Sequence, residues 1–489
     1  MNLDLTNVRD RIISGVLRRQ AEALGDSLFL LDESGAQYTY AEVDELADRY
    51  ATALAGLGIG KGDTVALFME SSAETVIVSL GINRLGAIWA PTNTDYRGEW
   101  LHATFEDTRS RLLIVDGHLL PRVTELNGHP FAHVVVNGEP HGDPPPGATL
   151  HDLASFREAR AFMHAVDQWY GDTNAVLWTS GTTGRSKGVM QSNNVWITWA
   201  EIYDKVHRGG IRPGERFYSC TPLYNSGAWS INIYPALVAG TAVGIDLRFS
   251  VSEFWNRVRH YQAHHTLTFG TMHLYLYQRP ALEDDADNPL RTVVWLPIIP
   301  EILGAFKHRF GIEKVNGGFG QSEVMGVTIW SDDMGLKLNS AGRVSDPQSI
   351  MEVCLLDSND QPVAPGAVGE ICVRGKRPFT LFSGYFNRSE DTVKSFRNQW
   401  HHTGDLGRVD GDGELFFVDR QRDSTRHKGR NVSSFEVEHI ARQYPGVALV
   451  AAVGIPVQNI AGEDELMIAL VPVEGHEIDP LDFCKFTPS

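Results

Sequence analysis

The apolar positions of "YAEVDELADRYATALAGLG" recur with a helical period. Val43, Leu46, Ala47, Tyr50 and Leu54 share one face, and Gly56 and Gly58 punctuate its end. "DTVALFM" then reads as a buried strand, residues 73–85 as a helix and "AIWAP" as another strand, and strands recur at "LLIVD" and "HVVVN". This β-α-β rhythm predicts a parallel sheet covered by helices. "HGDPPPG" (141–147) interrupts it as a loop. The alternation resumes to about Gly320, with a helix predicted over 194–206. From Ala341 the texture changes to short strands between Gly/Pro turns ("MEVCLLD", "GEICVRG", "ELFFVD"), which predicts antiparallel pairing. After the basic, turn-rich "DRQRDSTRHKGRN" come one helix ("FEVEHIARQY") and two strands ("ALVAAVGI", "LMIALVPV"). The expected organisation is therefore a large domain over 1–421 and a partial small domain over 422–489.

Composition narrows the function classes. A chain of 489 residues exceeds one compact core, so two or three domains are expected. No apolar run reaches the roughly 18 residues of a membrane span, and "MNLDLTNVRDRII" has no apolar core of a secretory signal. A cytoplasmic location is expected. Cys220, Cys354, Cys372 and Cys484 are scattered without a C-x-x-C pair, so reduced thiols fit better than a zinc or disulfide framework. The net charge of −18 argues against a nucleic-acid-binding surface. A polyanionic ligand would have to be held locally, by backbone N–H groups, a few cations and a metal ion.

One stretch has the chemistry for that. "TSGTTGRSKGVM" (179–190) follows an apolar strand. It is not a Walker A loop, because Lys187 follows Ser186 and precedes Gly188, and "GVMQS" reads as a strand; the loop should link two strands. Gly181, Gly184 and Gly188 allow backbone amides to turn inward, Ser180, Thr182 and Thr183 offer hydroxyls, and Lys187 offers charge.

The string resembles the phosphate-loop signature of the adenylate-forming superfamily, which holds acyl-CoA synthetases, peptide-synthetase adenylation domains and luciferases. Six further resemblances sit along the chain: "YTYAEVDELADRYATAL", "NGGFGQSEV", "GEICVRG", "GYFNRSEDT", "WHHTGDLG", and "FFVDRQRD" with "KGRNVSSFEVE". "NTDYRGEWL" and "NVSSFEVE" look most like the branch of crotonobetaine/carnitine-CoA ligase-like enzymes. The resemblance implies an α/β fold. Its large N-terminal domain would hold two α/β subdomains and a small β-barrel subdomain, followed by a small α+β C-terminal domain. It also implies an acid–CoA ligase that uses ATP, Mg²⁺ and CoA. A carboxylate attacks the α-phosphate of ATP, giving an acyl-adenylate and pyrophosphate, and a thiol then displaces AMP. An amide synthetase using an amine acceptor and a nucleotide-binding pseudoenzyme stay open as alternatives. So does the oligomeric state, a homodimer included.

The resemblance also assigns residues. Thr179, Ser180, Gly181, Thr182, Thr183, Gly184 and Lys187 would meet the β- and γ-phosphates, with Thr182, Lys187, Glu323 and Arg426 active in catalysis. Glu323 would hold Mg²⁺ and Ser322 would touch the α-phosphate or the substrate carboxylate, while Phe319 and Gly320 would lie against adenine. Asp405 and Arg420 would bind the ribose, Arg422 would be the hinge and Arg426 would reach the nucleotide. Lys428 and Gly429 would lie near the pantetheine of CoA. Tyr224, Asn225, Gly227, Trp229, Gly270, Trp295 and Gly318 would line the acid's pocket. Three features depart from the family's pattern. Asn225 stands where His is usual. Trp295 and Leu296 stand where small residues are usual, so the pocket is reshaped or Trp295 is core in a slightly different register. From Asp423 onward only 67 residues remain, without a counterpart of the family's terminal lysine.

Overall fold

The computed structural model describes residues 3–162, 166–179, 186–206, 210–270, 272–344, 349–420, 425–427, 430–432, 434–456 and 464–486. The chain divides into two compact units, 1–339 with 375–394, and 340–374 with 395–489. Residues 421–424, where the sequence places the boundary between large and small domains, lie outside the described residues.

The first unit is built on two mixed sheets. The seven-stranded sheet runs Thr149–Asp152, His133–Asn137, Leu112–Asp116, Thr64–Phe68, Ile88–Pro91, Thr173–Thr179, Lys187–Ser192. All its pairings are parallel except the last, where Thr173–Thr179 and Lys187–Ser192 turn back on one another. The eight-stranded sheet runs Thr328–Ser331, Lys314–Phe319, Thr292–Leu296, His265–Phe269, Arg216–Ser219, Ala242–Ile245, Leu28–Asp32, Gln37–Thr39. It is parallel inside and antiparallel at both ends. The β-α-β rhythm thus gives the parallel interiors, and the Gly/Ser/Thr-rich stretch links two strands as its composition predicts.

Helices fill the space between the sheets because their apolar stripes face both. Tyr40–Gly56 starts on a capping box: the Thr39 side chain accepts from the Glu42 N–H while Glu42 reaches back to Thr39. It buries Val43, Ala47, Tyr50 and Leu54 as its periodicity predicts. Ala73–Arg84, buried on nearly every side, packs so closely against it that a Cβ on Gly81 would stand 2.8 Å from that of Tyr50. The core between the sheets includes Phe29, Val65, Leu67, Trp89, Trp196, Trp229 and Leu267. Outer layers seal the remaining faces, Leu101 and Phe105 on the first sheet, Trp255, Phe306 and Phe310 on the second.

In the second unit Met351–Leu356, Val368–Gly375, Phe396–Arg397, Trp400–Val409 and Leu415–Arg420 form a five-stranded sheet, and its described ladders are antiparallel. Val447–Pro456 and Asp464–Pro472 form a separate antiparallel ribbon after the helix Ser434–Ala441. This is the α/β fold with a barrel-like sheet and a small C-terminal α+β part that the sequence implies. Among the described residues no helix is long and apolar enough to cross a membrane.

The backbone at Gly318 admits nothing but glycine. Gly318 has φ +153°, and a Cβ there would lie 2.2 Å from the carbonyl oxygen of Thr328 on the paired strand. Gly318→Ala is expected to cost about 2–4 kcal/mol, from strain plus overpacking. A lowered urea midpoint at constant slope would record it. An unchanged midpoint would show that the strand end yields freely.

Candidate functional site

Three segments of the first unit converge beside the 179–188 loop. The first is Lys187–Ser192, the strand that leaves it. The second is the tight turn after Lys314–Phe319, closed by Gln321 and Val324 through reciprocal backbone bonds of 3.0 and 3.2 Å. Gly320 is forced there, because a Cβ would stand 2.4 Å from the Met325 carbonyl oxygen. The third is residues 382–386, which add to the free edge of Lys187–Ser192. Phe386 N donates to Gly188 O (2.7 Å), Met190 N to Gly384 O (3.0 Å) and Ser383 N to Met190 O (2.8 Å). Phe382 N also donates to the backbone oxygen of Glu323 (2.9 Å), so the segment ties the loop's exit to the turn.

The side chains follow. Ser322 meets Ser226 hydroxyl to hydroxyl at 3.1 Å, and its carbonyl accepts from the Gln191 amide. Tyr385 donates its hydroxyl to Glu323 Oε1 at 2.9 Å. The ring of the same tyrosine carries the Lys187 ammonium 4.9 Å from its centroid. Lys187 is also 3.6 Å from Asp391 Oδ1. Burial, reinforced by the Glu323 carboxylate, pushes the Tyr385 phenol well above its ordinary pKa, so it remains a donor. One neutral side chain thus contacts both the predicted phosphate lysine and the predicted metal carboxylate. Thr179 Oγ1 reaches Lys187 O at 3.4 Å and closes the base of the loop. Ser180, Gly181, Thr182, Thr183 and Gly184 lie outside the described residues.

The expected pocket residues divide between two faces of one sheet. Strand alternation sends Val293 and Trp295 to the outer core and Val294 and Leu296 to the inner one. Trp295 is fully buried, stacked on His273 (4.3 Å between centroids) and edge-on to Phe306 (4.9 Å). The reading of Trp295 as a pocket wall is thereby corrected: it is core, and Leu296 points to the side where Phe269 and Met325 pack. Gly227 belongs to that side, since a Cβ there would meet the Phe269 ring at 2.5 Å. Trp229 is also core, with its indole N–H on the Leu223 carbonyl (2.7 Å) and its ring 4.3 Å from that of Trp89. Asn225 is exposed and its Oδ1 accepts from Gly227 N at 2.9 Å, so the residue that departs from the family's His braces the turn ahead of the helix Ala228–Ile233. Tyr224 is half-buried, and Gly270 (φ +49°) donates to the Leu296 carbonyl at 2.9 Å. Phe319 is buried at the end of its strand.

In the second unit Asp405 and Arg420 are cross-strand partners, with Arg420 Nε 3.8 Å from Asp405 Oδ1. Asp405 is buried, and Arg420 is half exposed. Gly404 turns the chain with φ +72° and Asp405 N donates to Thr403 Oγ1 (3.1 Å). Arg426 lies on a strand opposite Asn431. Arg422, Lys428 and Gly429 lie outside the described residues.

A family profile described as AMP-binding enzyme matches residues 17–386. The chain belongs to the AMP-binding enzyme family. As a member it is an adenylate-forming enzyme. It is 29% identical to the crotonobetaine/carnitine–CoA ligase of Salmonella paratyphi A over 479 residues, 95% of this chain and 90% of that one. Two solved structures share the fold. An anthranilate CoA ligase in complex with anthranoyl-AMP has a TM-score of 0.83 at 23% identity, covering 99% of this chain and 90% of that one. The O-succinylbenzoate coenzyme A synthetase from Bacillus subtilis, in complex with ATP and magnesium ion, has a TM-score of 0.79 at 24% identity, covering 97% and 93%.

Sequence reasoning missed Tyr385, Asp391, Gln191 and Ser226 as site residues. Tyr385 and Asp391 stand in the quoted "GYFNRSEDT", but neither residue type announces a role there.

Proposed function

We propose that this adenylate-forming enzyme is an acid–CoA ligase. It would join a carboxylic acid to CoA through an acyl-adenylate at the expense of ATP. The observation that supports this most is the pairing of Lys187 and Glu323 over one tyrosine at the exit of the Gly/Ser/Thr loop. A cation and a carboxylate at one loop mouth suit a magnesium–triphosphate ligand: Lys187 takes a phosphate and Glu323 offers the metal a hard oxygen. The Glu323 carboxylate and the phenol that bonds it both present oxygen, the ligand type magnesium prefers. Magnesium bound there would neutralise charge on the phosphates.

The remaining roles follow the chemistry of each group. Thr179 to Gly184 and Lys187 hold the β- and γ-phosphates, and Ser322 donates to the oxygen that gains charge as the acid attacks. Asp405 and Arg420 bind the ribose hydroxyls, Phe319 and Gly320 lie by adenine, and Arg426 reaches the phosphates. Arg422 is the hinge that exchanges the two half-reactions, and Lys428 and Gly429 flank the pantetheine. Tyr224, Gly227, Gly270 and Leu296 shape the acid's pocket.

Tyr385 holds Glu323 for the metal. Tyr385→Phe is expected to raise the magnesium concentration giving half-maximal pyrophosphate exchange about tenfold, as loss of a partner behind a metal ligand does. An unchanged magnesium requirement would remove Tyr385 from the site.

The whole reading is tested by mass spectrometry of products from ATP, Mg²⁺, CoA and a mixed pool of carboxylic acids. New acyl-CoA masses are expected and would name the acid. Acyl-AMP released without acyl-CoA would overturn the CoA assignment and direct attention to amine acceptors.

A further inference from the structure

On the antiparallel sheet of the second unit, Cys372 and His402 are directly opposite one another on neighbouring strands, and Glu370 stands two residues before Cys372. All three are buried. Cys372 Sγ lies 3.4 Å from His402 Nδ1, and Glu370 Oε2 lies 2.7 Å from the same nitrogen. One ligand atom from each side chain falls within 4.8 Å of the others. Donor atoms around a tetrahedral cation with metal–ligand bonds of about 2.0–2.3 Å stand roughly 3.3–3.8 Å apart. The Cys372–His402 spacing fits as it stands, and the Glu370 oxygen has to draw back from Nδ1 by only roughly 0.6 Å to meet that geometry.

The hydrogen bonds around that nitrogen conflict. The Arg397 guanidinium is 2.9 Å from Nδ1 and needs its lone pair. The Glu370 carboxylate is nearer still and needs a proton on it. No protonation state of the ring serves both. Nε2, on the other side of the ring, is buried without a hydrogen-bond partner and looks toward Asp360 Oδ1 at 3.8 Å. A cation at the confluence resolves all of these. Nδ1, Glu370 Oε2 and Cys372 Sγ would each direct a lone pair at it, and the proton would stay on Nε2, facing the Asp360 carboxylate. That is the carboxylate–histidine–metal arrangement that fixes a liganding tautomer.

We propose that Glu370, Cys372 and His402 form a binding site for a thiophilic divalent cation of the zinc type, which takes the place of the Arg397 guanidinium. The thiolate selects against magnesium and calcium. Three protein ligands leave a fourth position for water. Arg397 can withdraw, because its side chain is 48% exposed and it keeps Asp360 as a partner. Burial, with the Glu370 carboxylate beside it, holds the Cys372 thiol protonated in the absence of a cation, so loading releases that proton to solvent. The site also bears on the turn that carries Asp405. The other oxygen of Glu370, Oε1, accepts the Gly404 N–H at 3.0 Å, so a cation fixed on Oε2 stiffens the Thr403–Gly404–Asp405 turn.

Cobalt(II) is the probe, added to the full chain after treatment with a chelator. One equivalent is expected to give a thiolate-to-cobalt charge-transfer band in the near ultraviolet, and added zinc to abolish it. Cys372→Ser should lose the band, His402→Gln should bind at least about tenfold more weakly, and Arg397→Gln should bind about tenfold more tightly. Circular dichroism and thermal unfolding confirm that each variant is folded. Absence of the band in the wild type overturns the proposal, as does a band that survives Cys372→Ser or vanishes in Cys484→Ser. Unchanged or weaker binding by Arg397→Gln overturns the claim that the cation and the guanidinium share one place. None of these readings depends on ligase activity.

Discussion

Glu323→Gln is expected to lower pyrophosphate exchange by about 10²–10³-fold while leaving the protein folded. The amide keeps the shape of the carboxylate and its oxygen can still accept from the Tyr385 hydroxyl, now 2.9 Å away. The backbone oxygen of Glu323 keeps its bond from Phe382 N in any case. What disappears is one negative charge at the mouth of the phosphate loop. Without it a magnesium ion bound there would be held by neutral oxygens, and the charge that grows on the phosphates would be less well neutralised. The exchange assay should use the acid that the product analysis names. Exchange within about threefold of the wild type would mean that this carboxylate does not hold the metal, whatever its resemblance suggests. Comparison with Tyr385→Phe separates two effects. Tyr385→Phe keeps the ring beside Lys187 and removes only the hydroxyl bonded to Glu323, so its effect should be made good by excess magnesium, and the loss of the carboxylate should not.

The two substitutions also show where a sequence stops being informative. The 179–188 loop was legible because glycine, hydroxyl residues and a lysine between two apolar runs have few structural uses, and the strands on either side obey a period of two. Glu323 was legible through the turn that presents it. Tyr385 was not: it is neutral, and it acts on a partner 62 residues away. Only the pairing of residues 382–386 with Lys187–Ser192 brings it there. Trp295 shows a different limit. "VVWLP" reads as a strand in any register, but which face each side chain takes depends on the sheet's neighbours. A shift of one residue exchanges Trp295 and Leu296 between core and pocket side. Asn225 likewise takes its role from the turn it stands in, where Oδ1 meets Gly227 N. The fold class came through well because β-α-β alternation and the later Gly/Pro-spaced strands are properties of whole segments. The candidate site was legible only in part because it is made of single residues from segments far apart in sequence.

Asp405→Ala should weaken ATP binding roughly ten- to hundredfold, the loss expected when hydrogen bonds to a charged acceptor are removed. Two explanations of Asp405 compete. In one it is a ribose acceptor, held ready by the Gly404 turn and by its own N–H on Thr403 Oγ1. In the other it is half of a structural ion pair with Arg420, 3.8 Å away across the ladder. The pair's geometry favours the first. Arg420 is 53% exposed, and a partly solvated pair at that distance contributes little to folding. Isothermal titration with ATP distinguishes the two. A structural pair predicts that Asp405→Ala and Arg420→Ala lower the melting temperature alike and leave nucleotide affinity unchanged. A ribose acceptor predicts that affinity falls most in Asp405→Ala and less in Asp405→Asn, which keeps one acceptor oxygen. It also predicts that 2′-deoxy-ATP narrows the gap between wild type and Asp405→Ala, because one of the hydroxyls that Asp405 would bind is gone.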